Sequence, residues 1–154
     1  MRSRKTKKIV VGAFYRPPNS NVDVMDAFSN TLKSIAENQK DGMIIVGGDF
    51  NLPSFNWENL CLVRGGSDRE YCEAFIDALS SNSLEQLVKR PTRGNNILDI
   101  FATNSPKRIL RISMGDGISD HKVIHAEMNI KIERNVKPPQ FIFILNKGDY
   151  DAFR

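Results

Sequence analysis

Two short stretches of this chain carry side chains that could act together on a phosphodiester. In the first, an apolar run, Ile44-Ile45-Val46, ends in Gly47-Gly48, and Asp49 and Asn51 then emerge two residues apart. A buried strand that stops in glycines delivers its next side chains to the rim of a sheet. In the second, Ile118-Ser119-Asp120-His121, another carboxylate stands beside one of two histidines. Hydrolysing a phosphodiester needs an oriented water, neutralised phosphoryl charge and support for the leaving oxygen. Asp49 could orient or deprotonate the water, and Asn51 could position it or donate to a phosphoryl oxygen. His121 can supply positive charge or act as acid or base near neutral pH. Asp99, inside the apolar segment 97–103, needs a partner, and pairing with an imidazole would fix the tautomer. Carboxylate and amide oxygens suit a hard cation such as Mg2+, which keeps several waters. Each part alone also has a plainer reading. Gly, Asp and Asn form turns, an Asp-His pair is a common loop feature, and Asp99 could bond backbone. His125 reads as solvent-exposed and Trp57 as packing.

The elements that must position these groups follow from periodicity. Residues 9–15 read as a buried strand feeding the loop at Pro17-Pro18. Asn21 or Asp23 is the expected cap of a helix with Val24, Phe28, Leu32 and Ile35 on its apolar face, ending near Gly42. Residues 43–46 form a second buried strand, and 51–66 read as a long loop. A capping box at Ser67-Asp68-Arg69-Glu70 opens a second helix with Tyr71, Phe75, Ile76 and Leu79 inward. Short strands are expected at 84–88, 97–103 and 109–114, with turns at 90–96 and 115–117. Residues 123–132 alternate, with Val123, His125, Glu127, Asn129 and Lys131 on one face. That is the period of a half-buried strand in antiparallel or edge pairing. A short helix is expected at 149–153. Strands interleaved with helices predict an α/β (α+β) layered fold with helices outside the sheets.

The bulk composition narrows the function classes. The net charge of +4 comes from 22 basic and 18 acidic residues. Arg2, Arg4, Lys5, Lys7 and Lys8 carry five of the positives, so 17 against 18 remain over the rest of the chain. The basic balance is therefore a terminal feature, read as a solubilising or frayed terminus in preference to a localisation or phosphate-binding patch. Cys61 and Cys72 make neither a disulfide framework nor a metal spacing, which predicts a reducing, intracellular setting. No segment approaches the ~18 apolar residues of a membrane span. The apolar run at 9–15 is too short, and lacks the small-residue cleavage site, for a signal peptide.

Taken together and in order, Tyr15-Arg16-Pro17-Pro18, Gly48-Asp49-Phe50-Asn51, Leu98-Asp99 and Ser119-Asp120-His121 resemble the endonuclease/exonuclease/phosphatase superfamily. The resemblance is strongest to the apurinic/apyrimidinic-type endonuclease domain of non-LTR retrotransposons, and it covers about residues 5–132. Residues 9–14, Arg90-Pro91-Thr92-Arg93 and 97–104 match that branch too. The resemblance implies a DNase I-like, four-layered α/β sandwich with two sheets face to face, present here without its leading strands. It divides the chain into a basic segment at 1–8, the domain at 9–133 and a linker toward a following domain at 134–154, with a reverse transcriptase as companion.

It also implies that Tyr15 touches the scissile phosphate, that Asp49 and Asn51 position water and phosphoryl oxygens, and that Asp99 orients His121. Asp120 and Asp49 would help hold Mg2+, with Mn2+ as the alternative ion. The substrate would be DNA, nicked to leave a 3′ hydroxyl, and the setting nuclear. Arg16, Arg90 and Arg93 are the candidate substrate contacts. Family members also carry an earlier Asn and a Glu that is the principal metal ligand. No glutamate here matches that Glu, so the resemblance implies weak cation binding. The alternative reading from another class is an inactive remnant that at most binds nucleic acid. Oligomeric state is not legible.

Overall fold

In the computed structural model, residues 8–18, 20–39, 41–57, 61–62, 68–117 and 119–130 are described. The basic start at 1–7, the expected linker at 134–154 with its helix at 149–153, Ser67 of the capping box and Ile118 lie outside them.

A mixed sheet runs β1 (Ile9–Tyr15), β2 (Met43–Asp49), β6 (Asp99–Thr103), β5 (Glu85–Gln86) in spatial order. β1 and β2 are parallel and are joined through the helix α1 (Asp23–Asn38), while β6 is antiparallel to both β2 and β5. A parallel pair needs such a crossover, whereas antiparallel neighbours can follow short connections. The second helix, α2 (Arg69–Ser81), packs with α1 over one face of the sheet. β7 (Ile109–Asp116) and β8 (Lys122–Met128) form a separate antiparallel hairpin. The α+β content, a mixed sheet with helices, is consistent with the partial DNase I-like fold expected.

The core lies between sheet and helices. Ile44, Val46, Ile100 and Ala102 face Met25, Phe28 and Leu32 of α1 and Cys72, Phe75, Ala78 and Leu79 of α2. Phe50 and Phe75, at 0% and 1% exposure, meet with rings tilted by 46° and centroids 4.5 Å apart, and Phe14 and Phe28 complete the aromatic group. Burying such a side chain contributes roughly 1.5–3 kcal/mol. Trp57 packs edge-on to Phe55 and Phe75, as its composition predicts, and donates its indole N–H to the Ile97 carbonyl at 3.2 Å.

Several boundaries differ from expectation for identifiable reasons. β2 continues through both glycines to Asp49. Gly48 makes this possible: it holds φ +145°, and a Cβ there would meet the Phe14 carbonyl oxygen at 1.8 Å. Among the described residues neither helix N-cap, Val22 or Asp68, makes a side-chain cap bond, whereas the Asn82 amide closes the end of α2 by donating to the Ala78 carbonyl at 2.8 Å. The Asn21 amide donates to the Asp23 carboxylate, and the Asp68 carboxylate accepts from Ser54 and faces Arg16. The segment expected as one loop contains a two-residue pairing, β3 (Phe55–Asn56) with β4 (Cys61–Leu62). β6 begins at Asp99 rather than enclosing it, because the Leu98 and Asp99 N–H groups donate to the Thr92 hydroxyl instead of to a neighbouring strand. β7 runs on through Gly115 and Asp116, so the hairpin turn falls later than expected. β8 keeps the expected alternation: Val123, His125 and Glu127 are exposed, and Ile124, Ala126 and Met128 half-buried.

Candidate active site

Sheet register explains how distant residues meet. Tyr15 closes β1 opposite Asp49, and Asp49 closes β2 opposite Asp99, the first residue of β6. Residues paired across adjacent strands point to the same face, and strands lie about 4.8 Å apart. Tyr15, Asp49 and Asp99 therefore form one row across one end of the sheet, within roughly 10 Å. The face is the one opposite the helices. His121, in the turn before β8, extends the row: its Nδ1 lies 2.8 Å from Asp99 Oδ2. A carboxylate can only accept there, so Nδ1 carries the proton and Nε2 faces outward from the bond.

Asn51 is held by its backbone. Its φ is +49°, its N–H donates to Asp49 Oδ1 at 2.9 Å, and Phe50 between them donates its N–H to the Leu98 carbonyl. The alternation of a polar, a fully buried aromatic and a polar residue fixes this loop. Phe50 plugs the core while Asp49 and Asn51 stay half-buried at the rim. Burial, and then the neighbouring Asp99 charge, raise the Asp49 pKa above its ordinary value, against the Asn51 N–H bond and the charges of His121 and Arg93.

The remaining expected site residues are placed differently. Arg16 is not a surface contact for substrate. It is 1% exposed, and Nε and Nη2 donate to the Phe50 and Asn51 carbonyls at 2.9 and 2.7 Å. A guanidinium spent on backbone in the interior cannot also grip a ligand. Arg93 Nε donates to Asp120 Oδ2 at 2.6 Å, so these two candidates neutralise each other, and the Asp120 pKa is lowered by that bond. Arg90 is exposed.

Sequence reasoning missed Thr92. It is fully buried, its hydroxyl accepts from both Leu98 and Asp99 N–H at 3.0 Å, and its carbonyl accepts from Lys122 N–H at 2.8 Å. One residue thus ties the strand bearing Asp99 to the strand following His121. The only signal for it was a threonine inside Arg90-Pro91-Thr92-Arg93.

A family model described as endonuclease-reverse transcriptase matches residues 9–125, which span every residue of this row. The chain belongs to that family. It is thereby a retrotransposon endonuclease-like domain of the endonuclease/exonuclease/phosphatase superfamily, as the sequence motifs indicated. No curated protein matches it. No helix among the described residues of this endonuclease-reverse transcriptase family member is long and apolar enough to cross a membrane.

A cation site is tested by the donors themselves. Among the described residues no three His, Cys, Asp or Glu side chains converge, so Asp49 and Asp120 share no protein-built cage. Asp49 and Asp99 nevertheless put two hard carboxylates side by side, with mutual repulsion that a cation would relieve. Mg2+ is commonly held by one or two carboxylates, waters and substrate phosphates, and this donor set fits it on those terms.

Proposed function

We propose that this domain is a DNA endonuclease that nicks one strand by water attack on a phosphodiester, with Mg2+ as cofactor and Mn2+ as substitute. The observation that carries the reading is the in-register row Tyr15–Asp49–Asp99 completed by His121. When bound at Asp49, the cation would neutralise phosphoryl charge. The chain's own groups supply the rest. Asp49, half-buried at the rim and bonded by the Asn51 N–H through Oδ1, is placed to orient the attacking water or to take its proton. Asn51, set beside it by the left-handed turn, presents an amide to a phosphoryl oxygen or to the water. Tyr15, 63% exposed, offers its hydroxyl to the phosphate. Asp99 holds His121 so that Nε2 can donate to a phosphoryl oxygen when the ring is protonated. Exposed Arg90 contacts DNA backbone, a reverse transcriptase domain shares the parent polypeptide, and the work is done in the nucleus.

The test is nicking of supercoiled plasmid by the 154-residue chain with Mg2+ or with EDTA, beside Asp49→Ala and His121→Ala. Mg2+-dependent nicking lost in both variants supports the reading. Salt-sensitive DNA binding by a folded chain that never nicks replaces it with a non-catalytic nucleic-acid-binding module.

A further inference from the structure

Arg16 follows Tyr15 directly, and its main chain joins the same rim: its N–H donates to the Asp49 carbonyl at 2.8 Å. The side chain then folds under the Asp49–Asn51 loop instead of out to solvent. Nε reaches the Phe50 carbonyl and Nη2 the Asn51 carbonyl, so one planar fork spans two successive peptide units. The far side of the guanidinium is seated by α2. Its carbon lies 4.3 Å from the centroid of the Tyr71 ring, Asp68 Oδ1 stands 3.7 Å from Nη2, and Nη1 faces Ser20 Oγ at 3.5 Å. Tyr71 is itself anchored, its hydroxyl donating to the Ser20 carbonyl at 2.5 Å.

What the fork holds is a residue in an unfavourable state. Asn51 is not glycine and occupies φ +49°, the left-handed region that L-residues enter seldom, asparagine more readily than most. Something must over-determine such a backbone for it to persist. Two contacts do so from opposite sides: the Asp49 carboxylate accepts the Asn51 N–H, and Arg16 takes the Asn51 carbonyl. The turn therefore has one pin on the reacting side and one in the core.

We infer that Arg16 is a positioning residue that sets the orientation of Asn51 and Asp49 from beneath and couples it to the start of α2. The inference rests on the endonuclease reading proposed above. Lysine cannot replace it, since a single ammonium offers no fork for two carbonyls in fixed geometry. A misplacement of about 1 Å in a reacting group can cost on the order of 100-fold in rate. Arg16→Lys should thus lower kcat ~10- to 100-fold with KM within about twofold, because no substrate contact is lost.

The experiment pairs nicking kinetics with amide hydrogen exchange on the whole chain, for the parent, Arg16→Lys and Tyr71→Leu. The second variant keeps Arg16 but removes the ring that seats it, together with the hydroxyl bond to Ser20, and it carries the test if Arg16→Lys does not fold. Expected are a fall in kcat at constant KM and faster exchange at Asn51 of at least about tenfold, with the central β2 amides unchanged. An unchanged kcat in a folded variant, or Asn51 exchange equal to the parent's, overturns the assignment. If the parent itself never nicks, the endonuclease reading falls, and the exchange at Asn51 alone decides the role of Arg16.

Discussion

Replacing Thr92 with valine removes one oxygen and almost no volume, so the structure allows its cost to be worked out. The hydroxyl is the shared acceptor for two backbone donors, Leu98 N–H and Asp99 N–H, each at 3.0 Å, and the residue is 0% exposed. No water can take over at a site closed to solvent. Leaving a buried donor unsatisfied costs about 1–3 kcal/mol, and two are orphaned here. Part of that is offset because a hydroxyl no longer has to be dehydrated. Thr92→Val should therefore destabilise the fold by ~2–4 kcal/mol, some 30-fold or more in the unfolding equilibrium. Thr92→Ser keeps the oxygen and should stay within about 1 kcal/mol of the parent. Thr31 is the control: its exposed hydroxyl bonds the Ala27 carbonyl of its own helix, and Thr31→Val should shift stability by no more than about 0.5 kcal/mol. Urea denaturation followed by circular dichroism reads all three, with the midpoint moving and the slope constant. A Thr92→Val midpoint matching that of Thr31→Val would refute the reasoning, since the two N–H groups would then have found other partners.

Other outcomes follow from single features. Gly48→Ala puts a Cβ into the Phe14 carbonyl at φ +145° and should cost at least about 3 kcal/mol. Gly94→Ala, at φ +54° with nothing within 4 Å, should cost only about 1–2; chemical melts that rank them otherwise reject the close approach of β1 to β2. Because the Asp49 pKa is raised, its contribution to stability is full below the ordinary value of 3.8 and is lost as pH rises through the folded value. Asp49→Asn should accordingly melt higher than the parent at pH ~7, with the gap closing toward pH ~3, while losing nicking. A gap independent of pH would contradict the sign. The Cys72 thiol is pushed up to about 11, chiefly by burial, so in a Cys61→Ser background it should resist a thiol reagent at neutral pH until urea unfolds the chain. Rapid labelling of the native protein would show that α2 opens.

The site was legible in the sequence to the extent that its residues announce themselves in strand-end patterns. Ile44 to Asn51 reads as a strand delivering polar groups to a rim, and Leu98-Asp99 as a carboxylate in need of a partner. The structure gives that partner as His121. Register was not legible: nothing in the separate segments says that Tyr15, Asp49 and Asp99 stand abreast, because cross-strand pairing is set by the whole sheet. Arg16 was misread for a related reason. Beside two prolines an arginine looks exposed, and only the tertiary fold brings the Tyr71 ring and two carbonyls around it. The Asn21 cap failed because its amide found the Asp23 carboxylate instead of the helix end. Arg93 and Asp120 looked like separate functional charges until folding set them in contact.

The placement of His121 has a mechanical consequence. The aromatic core grips β1, β2 and both helices, but the hairpin that bears the histidine is moored to that body by polar links: the Asp99 bond, the Arg93–Asp120 pair and the Thr92–Lys122 peptide contact. The exposed Arg93–Asp120 pair is screened by salt, whereas a packed core is not. The domain is thus a packed bed with an arm laid against it, and the alignment between them is what a disturbance reaches first, with the bed itself still standing.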